Sequence, residues 1–223
     1  MSFTQRIRKH ADAVWTASHN HPFVQGIGHG TLPKEAFQHW LKQDYKYLIE
    51  YAKVMAMGTV LAPDLKTMSG FATALDETLN TEMELHRSYA ERLGVSREEL
   101  EATVPGPVTL AYSSAMLAEA QKGSLAELIA SILPCAWSYY EIGLELAKIP
   151  GALDHEYYGE WVRMYSSDEF GQIADWLIET LDALAESKSE EELNRLEAIF
   201  MNTSRYEYMF WEMGYKQESW PVE

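Results

Sequence analysis

Two acidic residues lie where the sequence predicts the buried faces of helices. In the segment 33–62, apolar and aromatic residues recur every three or four positions, and Asp44 falls within that stripe. In the segment 190–213, Glu207 occupies a similar position. A carboxylate there must be paired, protonated or open to a cavity, because burying it bare is costly. Each acid alone is consistent with a structural hydrogen bond to a core Tyr or Trp, whereas two acids on distant helices favour a shared polar pocket.

Glu84 is a third and weaker candidate. Its neighbours Glu82, His86 and Arg87 are polar or charged, which is typical of a solvated helix face. The sequence therefore predicts that this stretch lies at the surface.

The single cysteine stands beside a proline inside a predicted helix. Pro134 has no N–H and its ring crowds the carbonyl of Ala130, so we expect either a kink or a helix that restarts there. A restart would place the Cys135 sulfur near the positive end of a helix dipole and lower the thiol pKa. Two interpretations stay open: a nucleophile with Tyr139 on the same helix face, or an inert small side chain in the core.

Tyrosine and tryptophan are frequent, with 13 and 7 residues against 7 phenylalanines. Buried Tyr and Trp need partners for their O–H and N–H groups, so tyrosines on apolar helix faces favour a polar, aromatic cavity. The alternative is that they lie at a rim where their hydroxyls reach water. The tyrosines concerned are Tyr47, Tyr51, Tyr112, Tyr139 and Tyr165.

Metal, haem and phosphate sites have little support. Helical bundles often hold di-iron clusters through Glu-x-x-His pairs, and none of the 7 histidines follows a glutamate at that spacing. His10, His19 and His21 are each candidate haem ligands, which leaves a haem-binding or oxidase relative as an alternative. The chain has no Gly-rich phosphate loop, G-x-S-x-G elbow or H-E-x-x-H motif.

The elements that must position these residues are helices. Residues 1–223 fit a single domain, and a composition of 47% hydrophobic and 23% charged residues is ordinary for a globular protein. No segment alternates with period two, so the predicted fold class is all-α, a single-domain helical bundle. Helices are predicted at 3–18, 33–62, 65–93, 97–102, 108–122, 125–149, 155–165, 168–187 and 190–213.

Capping boxes of the form Ser-x-x-Glu/Gln support these helix starts, since they satisfy the first free N–H groups of a helix. A glycine at position 123 is predicted to end the preceding helix. The capping boxes begin at Ser2, Ser96, Ser124, Ser166 and Ser189.

The net charge of -16 disfavours binding to nucleic acid or to anionic membranes, because the 18 basic residues are scattered. The first residues lack the apolar segment of a signal peptide, and the uncharged apolar runs are too short to cross a membrane. One cysteine forms no internal disulfide, which fits a reducing compartment. We therefore expect a cytoplasmic protein.

Five segments, spread in order over nearly the whole chain, form a recognisable set. They are WLKQDYKYLIEYA around Asp44, LAYSSAM around Tyr112, LPCAWSYYEIG around Cys135, WVRMYSSDEF around Tyr165 and SRYEYMFWEMGY around Glu207. Together they resemble the TenA family, the thiaminase II or aminopyrimidine aminohydrolase enzymes of thiamin salvage. The resemblance implies a haem-oxygenase-like bundle, usually a homotetramer, with no haem, metal or other cofactor. Cys135 places the chain with the cysteine-bearing branch.

The resemblance also implies a reaction at the exocyclic methylene of a 4-amino-2-methylpyrimidine. The aminomethyl compound loses ammonia, or thiamin loses its thiazole, and hydroxymethyl pyrimidine results. By this resemblance Cys135 is the nucleophile, Glu207 is the acid that protonates the leaving amine, and Asp44 binds the aminopyrimidine edge. Tyr112 and Phe210 match positions that flank the flat ring. Tyr47, Tyr139 and Tyr165 match polar contacts.

A rival of another class is a non-catalytic pyrimidine or thiamin carrier, or a regulator, on the same fold. Such a protein would bind the pyrimidine ring without turnover beyond one equivalent.

Overall fold

The computed structural model describes residues 1–122 and 124–222, and most of these residues are helical. These two ranges contain no strand, which confirms the all-α prediction, and none of their helices has the length and apolar character to cross a membrane. The helix stop predicted at Gly123 lies outside the described residues. The α-helices are α1 (Phe3–His10), α2 (Asp12–His19), α3 (Pro22–Gly28), α4 (Lys34–Leu61), α5 (Leu65–Asp76), α6 (Met83–Arg92), α7 (Arg97–Ala102), α8 (Pro107–Gln121), α9 (Leu125–Ala147), α10 (Gly159–Tyr165), α11 (Asp168–Ala185) and α12 (Glu190–Lys216).

The chain forms two compact units. Unit 1 comprises Met1–Pro33 and Ile129–Trp211, and unit 2 comprises the described residues of 34–128 and 212–223. Helices α1 to α3, α10 and α11 belong to unit 1, helices α4 to α8 belong to unit 2, and α9 and α12 contribute residues to both. A single domain over residues 1–223 stays a prediction.

The core of unit 1 is aromatic and also contains polar contacts between its helices. The ring of Trp15 stacks on Phe200 with centroids 5.8 Å apart, and its Nε1 donates to Ser204 Oγ at 2.9 Å. The backbone N–H and hydroxyl of Thr4 donate to the carboxylate of Asp182 at 2.7 and 2.9 Å. The Thr4 contacts fix α1 against α11, while Trp15 joins α2 to α12.

In unit 2, the buried amide of Gln43 joins α4 to the start of α8. Gln43 Oε1 accepts hydrogen bonds from the Gly106 N–H at 2.8 Å and the Thr109 hydroxyl at 2.7 Å, and Nε2 donates to the Val104 carbonyl at 3.2 Å. Because each polar atom of the amide has a partner, its burial carries little desolvation penalty.

The N-terminal region differs from its prediction. The helix expected at 3–18 is two helices separated at Ala11, and α3 (Pro22–Gly28) was not expected. The start of α3 is capped by a side chain outside the usual set of N-cap residues, since His21 Nδ1 accepts from the Phe23 N–H at 3.1 Å.

The helix expected at 65–93 is interrupted. A π-helical segment, Glu77–Glu82, separates α5 from α6 without a loop. In addition, the helix expected at 155–165 begins only at Gly159, after a 3₁₀ turn over Ala152–Asp154.

Three predicted capping boxes are present. Ser2 and Ser96 each form the reciprocal pair with the residue three positions on, and Ser189 pairs in the same way with Glu192. The box predicted at Ser166 is wrong, because Ser167 is the N-cap of α11 and accepts from the Phe170 N–H at 3.2 Å.

The helix restart predicted at Pro134 does not occur. Helix α9 continues through the proline, so Cys135 lies within a helix and not at a helix N-terminus. The preceding side chains are completely buried, with Ile132 and Leu133 both at 0% exposure, and their packing offsets the hydrogen bond that Pro134 cannot donate. A kink at this point stays a prediction.

Candidate active site

Every predicted site residue lies on a helix. Unit 2 holds three of them, on α4 and α8: Asp44, Tyr47 and Tyr112. Unit 1 holds the other five, on α9, α10 and α12: Cys135, Tyr139, Tyr165, Glu207 and Phe210. All of them are buried except Cys135, which is partly exposed.

Asp44 is buried at 3% exposure and pairs with a histidine. Its Oδ2 lies 2.6 Å from His86 Nε2, and His86 Nδ1 lies 2.9 Å from the backbone carbonyl of Glu82. The alternative considered from the sequence, in which Asp44 forms a structural hydrogen bond with a core Tyr or Trp, is therefore wrong. A second ionisable side chain, contributed by α6, completes the environment of this carboxylate.

The contacts of His86 fix which ring nitrogen keeps its hydrogen when the imidazole is neutral. A carbonyl oxygen only accepts hydrogen bonds, so Nδ1 carries a hydrogen and donates to Glu82. Burial alone would lower the pKa of His86, but the hydrogen bond and negative charge of Asp44 outweigh burial and raise this pKa above its ordinary value. Below this raised pKa, His86 is an imidazolium that donates from both ring nitrogens, to Glu82 and to Asp44.

The surface position predicted for the segment around Glu84 is partly wrong. Glu84 is exposed and forms an ion pair with Arg87 at 3.1 Å, as expected, but His86 is only 2% exposed. The signal that could have identified His86 is its place in a buried series with Met83 and Tyr89, three residues before and after it.

Tyr47 and Tyr112 lie side by side in unit 2. Their ring centroids are 5.0 Å apart, which joins α4 to α8. The Tyr47 hydroxyl donates to Met116 Sδ at 3.4 Å, and the Tyr51 ring stacks on Tyr47 with centroids 5.8 Å apart. The three rings form a continuous buried aromatic group that begins on α4 one turn after Asp44 and extends to α8.

Tyr139 and Tyr165 form a second aromatic group in unit 1. Their rings meet edge to face with centroids 4.9 Å apart, and Trp161 and Trp211 pack beside Tyr139 at 5.9 and 4.9 Å. A glycine at position 143 allows this approach, because a Cβ there would lie 2.5 Å from the Tyr165 carbonyl oxygen.

Cys135 and Glu207 have the exposure that their predicted roles need. Cys135 is a partly exposed residue one helical turn before Tyr139 on α9, and partial exposure is what a nucleophile needs. Glu207, at 3% exposure, precedes the buried ring of Phe210 by three residues on α12. A shielded carboxyl group is suited to donating a proton.

Two other features lie apart from these residues. In the described ranges, no group of three or more His, Cys, Asp or Glu side chains is placed to hold a metal ion. Unit 1 has a cavity of about 280 Å³, whose lining includes none of the predicted site residues. The cavity is lined by Thr16, His19, Asn20, Val24, Gln25, Ile142, Glu145 and Leu146.

The sequence profile of the TENA/THI-4/PQQC family matches residues 8–217. The chain belongs to this family. The match includes every predicted site residue, and the TenA resemblance of the five segments is thereby confirmed.

Three bacterial relatives named aminopyrimidine aminohydrolase are similar to this TenA-family chain over nearly its whole length. The protein of Halalkalibacterium halodurans is 56% identical, covering 99% of this chain and 98% of the relative. The Helicobacter pylori protein is 43% identical, covering 97% and 100%. The Bacillus subtilis protein is 41% identical, covering 99% and 92%.

Solved structures support the same fold. A TenA family transcription regulator from Silicibacter sp. TM1040 superposes with a TM-score of 0.87 at 32% identity, covering 95% of this chain and 96% of that one. A domain with a heme oxygenase-like fold from Shewanella denitrificans OS217 gives a TM-score of 0.73 at 19% identity, covering 96% and 90%. The haem-oxygenase-like all-α fold class is confirmed.

Proposed function

We propose that this chain is an aminopyrimidine aminohydrolase of thiamin salvage. It converts 4-amino-5-aminomethyl-2-methylpyrimidine and water to 4-amino-5-hydroxymethyl-2-methylpyrimidine and ammonia, and it can cleave thiamin into its pyrimidine and thiazole halves. The observation that carries the proposal is the activity named for full-length relatives of this TenA-family chain. The alternative of a haem-binding oxidase has no comparable support.

In the proposed reaction, Asp44 binds the edge of the pyrimidine. This edge presents an exocyclic amino group beside a ring nitrogen, and one carboxylate can hold both groups. The amino N–H donates to the carboxylate, while a proton shared with the ring nitrogen makes the second hydrogen bond. Holding that proton withdraws electrons from the ring and favours addition of a nucleophile. The burial and ion pairing of Asp44 support this role.

We assign the covalent chemistry to Cys135 and Glu207. The thiolate of Cys135 adds to a ring carbon, and the electrons gained by the ring expel the amine from the methylene. Glu207 supplies the proton with which the amine leaves as ammonia. Water then adds to the methylene with Glu207 as base, and the ring expels the thiolate. The partial exposure of residue Cys135 and the burial of Glu207 support the assignment.

The aromatic residues would hold the flat ring in place. Tyr112 and Phe210 are assigned to its two faces, and Tyr47, Tyr139 and Tyr165 to polar contacts with ring nitrogen, acid or leaving group. The pairing of Tyr47 with Tyr112, and of Tyr139 with Tyr165, supports a rigid aromatic lining in each unit.

The first test is ammonia release from the aminomethyl pyrimidine by wild type, Cys135→Ser and Leu144→Ala. Leu144 is 39% exposed on the same helix as Cys135, so its variant controls for a substitution in α9. We expect many turnovers from wild type and from Leu144→Ala, and a loss of at least about 10³-fold in Cys135→Ser.

The outcomes separate function from mechanism. Calorimetry with hydroxymethyl pyrimidine should give similar affinities for wild type and Cys135→Ser, because the thiol acts in the reaction and contributes little to ring binding. Full activity in Cys135→Ser would contradict the covalent adduct. Binding by wild type without turnover beyond one equivalent would contradict the hydrolase and favour the carrier or regulator.

We also propose that the enzyme is a homotetramer of the 25.5 kDa chain and acts in the cytoplasm. The TenA resemblance supports the assembly, and the single cysteine supports a reducing compartment. A secreted or membrane-associated pool in cell fractionation would contradict the location.

A further inference from the structure

The Asp44–His86 pair is a buried unit whose two members come from different helices. Asp44 lies on α4 and His86 on α6, and their side chains are 5% and 2% exposed. His86 occupies Oδ2 of Asp44, and no other hydrogen bond to Asp44 is found among the described residues. Oδ1 and the second lone pair of Oδ2 therefore remain for a ligand, which is enough for the two hydrogen bonds of the pyrimidine edge.

The Glu82 carbonyl prevents His86 from changing its tautomer. Because Nδ1 must donate to this carbonyl, a neutral His86 would have its lone pair on Nε2, facing Oδ2 of Asp44. Two lone pairs at 2.6 Å repel each other, so the carboxylate would have to turn away. The position of Asp44 thus depends on the second proton of the imidazole ring.

The charges around His86 leave Asp44 as its main ionic partner. Asp44 from α4 and the carboxylate of Glu82, at the end of the π-helical segment, both act on its pKa. Helix α6 also packs against α7, where two of the three acids have partners elsewhere: Glu99 pairs with Lys42 at 3.5 Å, and Glu101 accepts from the Tyr45 hydroxyl. Trp40 on α4 is an uncharged neighbour of His86, with ring centroids 5.9 Å apart.

We propose that His86 is a positioning residue for the pyrimidine-binding carboxylate: its imidazolium orients Asp44 toward the ring, and loss of its second proton releases Asp44 and weakens pyrimidine binding. The inference rests on the proposed function, because it assumes that Asp44 binds the aminopyrimidine edge. His86 does not touch the substrate and acts only through Asp44. Ring affinity should therefore fall at the pH where His86 deprotonates, while the thiol and Glu207 are unaffected.

The test compares wild type with His86→Gln and His86→Leu. Glutamine can still donate from Nε2 to Asp44 but does not titrate, whereas leucine removes the donor. The affinity for 4-amino-5-hydroxymethyl-2-methylpyrimidine is measured by calorimetry from about pH 5.5 to about pH 9.5, around the ordinary pKa of histidine. Thermal melts of each variant establish that it is folded.

We expect wild-type affinity to decrease with rising pH, and the ratio of the His86→Gln affinity to the wild-type affinity to increase. The titration of the ligand itself is common to both proteins and cancels. At about pH 6, His86→Gln should bind about tenfold more weakly and His86→Leu about a hundredfold more weakly, as expected for weakening or losing a charge-assisted hydrogen bond. The control His39→Gln replaces another histidine of unit 2 and should follow the wild-type curve.

Identical pH profiles for wild type and His86→Gln would overturn the proposal even if both enzymes are active. Wild type that neither binds nor hydrolyses the pyrimidine would instead overturn the proposed function. If the variants do not fold, the imidazole nitrogens of wild-type His86 can be titrated by ¹⁵N NMR. Bound product should then raise the pH at which His86 deprotonates, by linkage, and an unchanged titration would contradict the proposal.

Discussion

The charge pair of Asp44 and His86 stabilises the molecule only while both partners are charged. Both side chains are nearly excluded from water, so each would be costly to bury alone. Removing one partner of such a pair destabilises a protein by about 3–5 kcal/mol, because the other charge stays buried without compensation. The pair in which Asp44 is assigned to ring binding and His86 to positioning Asp44 therefore also affects the folding equilibrium.

The stability that His86 contributes should decline as the pH rises. Because Asp44 raises the pKa of His86 above its ordinary 6.5, the folded chain holds the imidazolium proton more tightly than the unfolded chain. This contribution is fully present below the unfolded pKa and is lost as the pH rises through the raised folded pKa. Urea unfolding of wild type and His86→Gln across this range should show a stability difference that shrinks toward alkaline pH.

His39→Gln is an informative control because its expected trend has the opposite sign. Burial lowers the pKa of His39, so its protonation disfavours the folded chain. Wild type should lose stability relative to His39→Gln as the pH falls below 6.5, the ordinary pKa of histidine. A difference for His86→Gln that stays constant with pH would contradict the assigned imidazolium.

At the scale of elements, the π-helical segment sets the position of His86. The segment Glu77–Glu82 places an extra residue in the helical path, and its last residue supplies the carbonyl that binds His86 Nδ1. The face of α6 that meets α4 is therefore shifted relative to a continuous helix over 65–93. No residue in this stretch signals a π-helix, so the sequence alone predicted one helix.

The burial of Asp44 could be predicted from the sequence, whereas its pairing with His86 could not. The burial of Asp44 and Glu207 follows from the apolar stripe of a single helix, and that pattern is local. The partner of Asp44 depends on how α6 packs against α4, which no local pattern specifies. Likewise, Pro134 correctly marks a lost hydrogen bond, but the burial of Ile132 and Leu133 decides that α9 continues.

The close approach of α9 to the end of α10 should make Gly143→Ala destabilising. A Cβ at this position would lie 2.5 Å from the Tyr165 carbonyl oxygen and 2.7 Å from the Ser166 nitrogen, and backbone atoms cannot move aside cheaply. We expect a loss of about 1–3 kcal/mol in the free energy of unfolding, measured by urea denaturation. Alanine is otherwise the better helix former, so propensity alone would predict stabilisation.

Gly106→Ala is the matched control for this substitution. Its Cβ would meet Gln43 Oε1 at 3.5 Å, an ordinary contact, and its backbone angles are open to alanine. The expected cost is below about 1 kcal/mol and reflects the N-cap position. Equal stability of Gly143→Ala and wild type would show that α9 and α10 are less tightly packed than the structure indicates.

For the whole molecule, the exposed surface combines many acids with a few large apolar side chains. The net charge of -16 keeps separate chains apart, and association has to overcome this repulsion. Val60 and Leu65 flank the turn between α4 and α5, and each is 82% exposed. Exposed apolar residues close together are typical of protein interfaces.

The proposed homotetramer should therefore depend on the α4–α5 turn. Light scattering on the wild type should give four times the 25.5 kDa chain mass, and the double variant Val60→Lys, Leu65→Lys should give a smaller species with unchanged helical circular dichroism. Val222→Lys is the control, because Val222 is similarly exposed, at 81%, but lies beyond the last helix. A wild-type mass of one chain would contradict the tetramer, whereas a double variant that stays tetrameric would place the interface elsewhere.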